Sequence, residues 1–248
     1  MAPKVLVVLT SFGQIDADHK TGWYLSVRAL KRAPANTKFS PKTQPELAHP
    51  YDVLEPKTEI TIVSPKGGEA PLDQASVDAF KQDPSSVNFL KTKEALWKNT
   101  GKLSDYLGRS SEFAALFYPG GHGPMFDLAT DKDSIALINE FVAAGKPVAA
   151  VCHGPIVFTN VKLPNGQHLL AGKEATGFSN EEEDQAGMTK LMPVLLEDKI
   201  KEAGGVYKKA DQAWGELVIS VDGGKFITGQ NPASAKGVGE AIAKAIGV

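Results

Sequence analysis

A chain of 248 residues, 42% hydrophobic and 23% charged, suits one large globular domain, or one domain with a modest insertion. Its formal charge of −2, with lysine and arginine spread along the chain, leaves no basic stripe for nucleic acid. One cysteine, Cys152, cannot form an internal disulfide, so the fold does not require an oxidising compartment.

The first apolar run, Val5 to Leu9, is too short for a signal-peptide core and leads into Asp16, Asp18 and Lys20. It reads instead as a buried strand over Lys4 to Leu9. Further strands are expected at Glu59 to Val63, at Ala114 to Tyr118 and at Pro147 to Val151, the last followed at once by Cys152. Leu217 to Val221 and Phe226 to Thr228, joined by Asp222-Gly223-Gly224, read as a hairpin. Helices are expected over Asp131 to Ala144, with Ile135, Ile138, Phe141 and Val142 on one face, and over Leu195 to Ala203 and Ala233 to Ile246. The polar stretch 71–112 reads as an excursion from the sheet, helical at Ala75 to Phe80 and at Thr92 to Asn99. Nearly continuous apolar strands alternating with helices predict an α/β fold with a mostly parallel sheet covered on both faces. No run reaches the roughly 20 apolar residues of a membrane span. The expected setting is therefore cytoplasmic.

One segment breaks the pattern. Ser26 to Gln44 carries five Lys or Arg, no acid, and prolines at 34 and 41. It interrupts a helix entry in which Tyr24-Leu25 would join Pro45-Glu46-Leu47. The domain is thus expected to span 1–248, with an atypical insertion at 26–44. Two readings stand: a surface loop, or a retained intron, whose donor, branch-point and acceptor could be encoded at Val27-Arg28, Ala35-Asn36 and Gln44. A cDNA read decides between them.

The chemistry concentrates at two turns. A lone cysteine is more often an inert buried residue. Here, however, Val148 to Phe158 reads strand, sharp turn, helix, and a side chain on such a turn projects into the crevice at the carboxyl end of a sheet. A helix starting at Gly154-Pro155 would aim its free N–H groups at the sulfur and lower its pKa. The second turn, Tyr118-Pro119-Gly120-Gly121-His122-Gly123-Pro124, offers glycine N–H groups to a substrate oxygen, as an oxyanion hole does. It matches neither a phosphate loop nor the dinucleotide glycine pattern. The histidines, at 19, 49, 122, 153 and 168, show no metal-ligand spacing, and none follows 168 to serve a glutamine amidotransferase.

In order along the chain, Lys20-Thr21-Gly22-Trp23-Tyr24, Glu46 to Tyr51, Phe117 to Gly123, Ala149 to Pro155, Thr176-Gly177-Phe178 and Thr228 to Ser234 resemble the ThiJ/PfpI superfamily. They are similar in particular to its fungal glutathione-independent glyoxalases, also described as heat-shock-type chaperones. The resemblance implies a flavodoxin-like sandwich, Cys152 as nucleophile and His153 beside it. It further implies Glu46 as the acid that bonds the sulfur, and a distal acid within Glu181-Glu182-Glu183, with Glu183 favoured. Gly120, Gly121 and His122 would bind substrate, with the Gly121 and His153 N–H groups as oxyanion hole. No cofactor or metal is implied. The implied substrate is a small 2-oxoaldehyde, methylglyoxal, converted to lactate through a hemithioacetal on Cys152. A homodimer is implied, with no nucleic-acid or membrane partner. The alternative reading is a redox-sensitive holdase acting on unfolded client proteins, or a deglycase. Because the insertion ends immediately before Glu46, the reach of that carboxyl to Cys152 is the geometric question the structure must answer.

Overall fold

The computed structural model describes residues 2–24, 46–74, 76–77 and 83–248. The segment 26–44, and most of the helix expected at Ala75 to Phe80, lie outside the described residues.

The chain builds nine strands and seven α-helices among the described residues. The strands are β1 (Lys4–Val8), β2 (Glu59–Ser64), β3 (Gly101–Lys102), β4 (Ala115–Tyr118), β5 (Val148–Val151), β6 (Glu174–Ala175), β7 (Val206–Tyr207), β8 (Val218–Val221) and β9 (Phe226–Gly229). The helices are α1 (Ala48–Leu54), α2 (Pro84–Thr92), α3 (Glu94–Lys98), α4 (Lys132–Ala143), α5 (Asn180–Ala186), α6 (Leu196–Glu202) and α7 (Ala235–Ala245). Seven strands form one sheet in the order β3-β2-β1-β4-β5-β9-β8. All neighbours are parallel except β8 and β9, which form the antiparallel hairpin at one edge. Helices cover both faces, as the α/β pattern predicts.

The central apolar runs form strands because both of their faces are covered. Every residue of β4 (ALFY) and β5 (VAAV) is buried, so alternation is absent and only the apolar run signals the strand. The alanines of β5 leave room for the neighbouring layer, and Tyr118 of β4 reaches Ser134 of α4 through a 2.9 Å hydroxyl contact. That contact corrects the expected face of α4. Its buried stripe is Ser134, Leu137, Ile138 and Phe141, while Ile135 and Val142 flank it half-buried. A serine scored as polar is inside because a tyrosine hydroxyl satisfies it.

Three elements depart from expectation. Helix α3 falls within the helix expected at Thr92 to Asn99, but α2, between the two helices expected in 71–112, was not foreseen. Asp83 caps it by accepting from the Ser86 N–H at 2.7 Å, and Pro84 occupies the first turn, where its missing N–H costs nothing. Strands β6 and β7 make a separate two-stranded parallel sheet of two residues each, too short to show a sequence period. The segment after Cys152 is a 3₁₀ turn, Gly154–Phe158, and not an α-helix.

Candidate active site

The last residues of β4 and β5, Tyr118 and Val151, lead into the two turns foreseen in the sequence, at the carboxyl edge of adjacent parallel strands. Cys152 follows β5 at φ +60°, a left-handed conformation costly for a residue with a side chain. Its N–H donates to the Gly229 carbonyl at 3.0 Å and its carbonyl accepts from Phe178 at 2.8 Å, so the kinked backbone is bonded on both sides. This is the sharp strand-to-turn geometry that the Ala-Val-Cys-His-Gly run implied.

The β4 turn closes over it. Gly121 has φ +94°, and a Cβ there would fall 2.7 Å from the Tyr24 nitrogen. A Cβ at Gly120 would collide with Glu46 Oε2 and lie 2.6 Å from Cys152 Cβ. Gly120 is therefore the floor across which Glu46 and Cys152 meet. The geometric question raised by the insertion is answered: Glu46, fully buried just before α1, stands at Cys152.

Burial pushes the Glu46 carboxyl up to about 8. The Cys152 thiol and the Gly120 and Gly121 N–H groups pull the other way, but among the described residues neither carboxyl oxygen gains a partner of regular hydrogen-bond geometry, and burial wins. Burial likewise pushes the Cys152 thiol well above its usual value, and an ionised Glu46 adds to the rise; only the Gly121 N–H opposes it among the leading influences. This corrects the expectation of a depressed thiol. A 3₁₀ turn of five residues supplies little dipole, and the sulfur is fully buried beside a carboxyl.

On its other side Cys152 Sγ lies 3.3 Å from His153 Nδ1. His153 Nε2 is 2.7 Å from Glu183 Oε2, and Glu183 Oε1 is 2.9 Å from His122 Nε2. Burial would push Glu183 up, but the two imidazoles outweigh it and hold the carboxyl well below the usual carboxylate range. Burial lowers His153 to about 4, with His122 adding to the fall, so its ring is neutral at neutral pH. An ionised carboxylate only accepts, so each Nε2 donates to Glu183. The neutral His153 therefore presents an unprotonated Nδ1 to the sulfur.

Of the acidic run, Glu181 is exposed and Glu182 and Glu183 are buried, so a fully solvated helix start is not what forms. Glu182 serves structure. It closes a capping box with Ser179 and accepts from the Trp214 N–H (2.7 Å), Gln230 Nε2 (3.0 Å) and Asn231 Nδ2 (2.8 Å). The Thr228-to-Ser234 motif thus acts on the site by anchoring the helix that carries Glu183.

Two residues went unassigned in the sequence. Tyr24 Oη is 2.6 Å from His122 Nδ1. Phe178 packs on His153 with ring centroids 4.4 Å apart and meets Trp214 edge-on at 5.4 Å. Both Tyr24 and Phe178 fall within quoted motifs, but no spacing rule marks a contact spanning 98 residues. Both nitrogens of His122, expected to bind substrate, are already engaged.

His122, His153 and Glu183 could gather a metal ion, since their ligand atoms lie within 4.8 Å of one another. Each of those atoms is engaged in an N–H···O bond, so a cation would have to displace both Nε2 protons.

A thiol on a strained turn, faced by a carboxyl on one side and a histidine–carboxylate pair on the other, defines a cysteine-centred α/β protein of the flavodoxin-like kind. Residues 43–245 match the DJ-1/PfpI family, and the chain belongs to it. It is 28% identical to the glutathione-independent glyoxalase HSP31 of Saccharomyces cerevisiae over 95% of this chain and 94% of that protein. Among solved structures, glyoxalase III from Candida albicans superposes with a TM-score of 0.82 at 27% identity, covering 98% of this chain and 97% of that one. The 24 kDa rapid encystment protein of Francisella tularensis does so with a TM-score of 0.84 at 34% identity, covering 98% and 99%.

Proposed function

We propose that this chain is a glutathione-independent glyoxalase that converts methylglyoxal to lactate on Cys152. The observation that carries the reading is the opposed pair of carboxyls around one thiol: Glu46 pushed up to about 8, Glu183 held ionised behind His153. Such a split assigns acid and base roles within one site. The relatives named as glyoxalases give the substrate class.

His153 Nδ1 accepts the thiol proton as Cys152 Sγ attacks the aldehyde carbon. Neutral Glu46 does not oppose the thiolate, because its repulsion belongs to the ionised form. The new alkoxide takes that proton back, held by the Gly121 N–H and, as the resemblance implies, by that of His153. The product is a hemithioacetal. His153, neutral again, then removes the hydrogen of the former aldehyde carbon while Glu46 protonates the neighbouring carbonyl oxygen, giving an enediol. Return of a proton to that second carbon, with loss of the hydroxyl proton on the first, leaves a lactoyl thioester. Water cleaves it to lactate and restores the thiol.

Purified protein given methylglyoxal and no glutathione is expected to form lactate, and Cys152→Ser is expected not to. Equal rates in the two proteins would overturn the assignment.

A further inference from the structure

We propose that Tyr24 and His122 are positioning residues, which together hold Glu183, and through it His153, in the arrangement whose bare Nδ1 faces Cys152. The inference rests on Cys152 as the nucleophile but not on the identity of its substrate.

Five groups form one unbroken chain: Tyr24 Oη to His122 Nδ1 at 2.6 Å, His122 Nε2 to Glu183 Oε1 at 2.9 Å, Glu183 Oε2 to His153 Nε2 at 2.7 Å, and His153 Nδ1 to Cys152 Sγ at 3.3 Å. Its direction follows from what each end can do. His122 Nε2 donates to the carboxylate of Glu183, so its Nδ1 is left to accept, and the Tyr24 hydroxyl 2.6 Å away, an ordinary phenol protonated at neutral pH, donates to it. A neutral imidazole that accepts at one nitrogen donates at the other, so His122 fills one oxygen of Glu183 and leaves the second for His153. The rings lie close enough, with His122 and His153 centroids 4.2 Å apart and their planes tilted by 45°, that a change in one is felt by the other.

The anchor of this chain is itself fixed. Gly22, Trp23 and Tyr24 are stitched to two other segments: Trp23 N–H to the Pro71 carbonyl at 3.0 Å, Asp73 N–H to the Trp23 carbonyl at 3.1 Å, and Gly123 N–H to the Gly22 carbonyl at 3.3 Å. The Trp23 ring is fully buried against Trp97 at 5.9 Å and Phe89 at 6.4 Å. Remote packing thus holds the phenol at the edge of the site, and the hydrogen-bond chain carries that position inward. His122, with both nitrogens committed, acts through Glu183 and not on the substrate.

Nitrogen-15 NMR of the histidine side chains tests this, paired with the rate at which iodoacetamide alkylates Cys152. The native protein is expected to show His122 and His153 protonated at Nε2 and bare at Nδ1. Tyr24→Phe is expected to give His153 partial protonation at Nδ1 and to slow alkylation by about tenfold, the scale of one lost buried hydrogen bond. A merely structural tyrosine would move neither histidine signal. Should Tyr24→Phe fail to fold, His122→Phe is expected to give the same His153 signature. A native spectrum with either histidine protonated at Nδ1, or a variant that changes neither readout, overturns the inference. Because alkylation needs no turnover, a protein inert toward methylglyoxal would sink the glyoxalase reading and leave this one standing.

Discussion

Two carboxyls flank Cys152, and the chain treats them oppositely. Glu46 is fully buried with no regular hydrogen-bond partner among the described residues and is pushed up to about 8. Glu183 is nearly as buried, yet two imidazole N–H groups hold it ionised. Depth alone does not set the charge of a buried acid. What decides is whether donors meet both oxygens at bonding distance. On one side the site stores a proton, and on the other it stores a negative charge.

The sharpest test removes the atom that both sides serve. Cys152→Ser is expected to lower lactate formation by about 10⁶-fold, as loss of the nucleophile does in a serine protease. Next, the two carboxyls should separate under the same amide substitution. Glu183→Gln puts an amide where two N–H groups point, so thiol alkylation and turnover are both expected to fall, turnover by about 10²–10⁴-fold. Glu46→Gln mimics the neutral acid: alkylation should change little, while turnover falls by about 10²-fold for want of a proton donor. Equal losses of alkylation in the two variants would erase the contrast.

A packing test follows. Gly120→Ala drives a Cβ into Glu46 and Cys152 and is expected to cost about 1–3 kcal/mol in denaturant unfolding, with loss of turnover.

Stability against pH gives a finer reading of the same contrast. Glu46 keeps in the folded state a proton that the unfolded chain releases near 4.5, so stability falls as pH rises from about 4.5 to about 8. His153, lowered from 6.5 to about 4, acts oppositely: the unfolded chain binds the extra proton, and stability falls as pH drops through that window. Glu46→Gln should therefore flatten the decline of the thermal midpoint between about pH 6.5 and 8 and, between about 4.5 and 6.5 where the two groups oppose each other, uncover the loss that His153 imposes as pH drops. The smallest effect belongs to the surface. Lys98→Ala breaks an exposed pair with Glu94 within α3 and is expected to change stability by less than about 0.5 kcal/mol.

Much of this was legible in the chain. The apolar runs located β1, β4, β5 and β9, which are buried almost throughout, and β2, buried over its second half, because such strands announce themselves by composition; the half-exposed edge strand β8 was located with its hairpin partner β9. The start of α2 went unread because apolar periodicity does not reveal it, although Asp83-Pro84 carries capping chemistry. The order of motifs resembling one family brought Cys152, His153, Glu46 and Glu183 into one argument.

The alignment of those groups was decided only in three dimensions. Sequence placed Glu46 after an unusual segment and left its reach to Cys152 open; the tertiary structure sets the two across Gly120. Sequence motifs contained Tyr24 and His122 without linking them, because a hydrogen bond spanning 98 residues has no local signature. The sign of the thiol's pKa shift also reversed. Local reasoning weighed a helix dipole, whereas the folded chain set a 3₁₀ turn, complete burial and a neighbouring carboxyl against it. Chemical identity is written residue by residue, and so the chain alone determined which reactive groups are available. Charge and proton position depend on burial and on partners brought from distant segments, and those only the fold supplies.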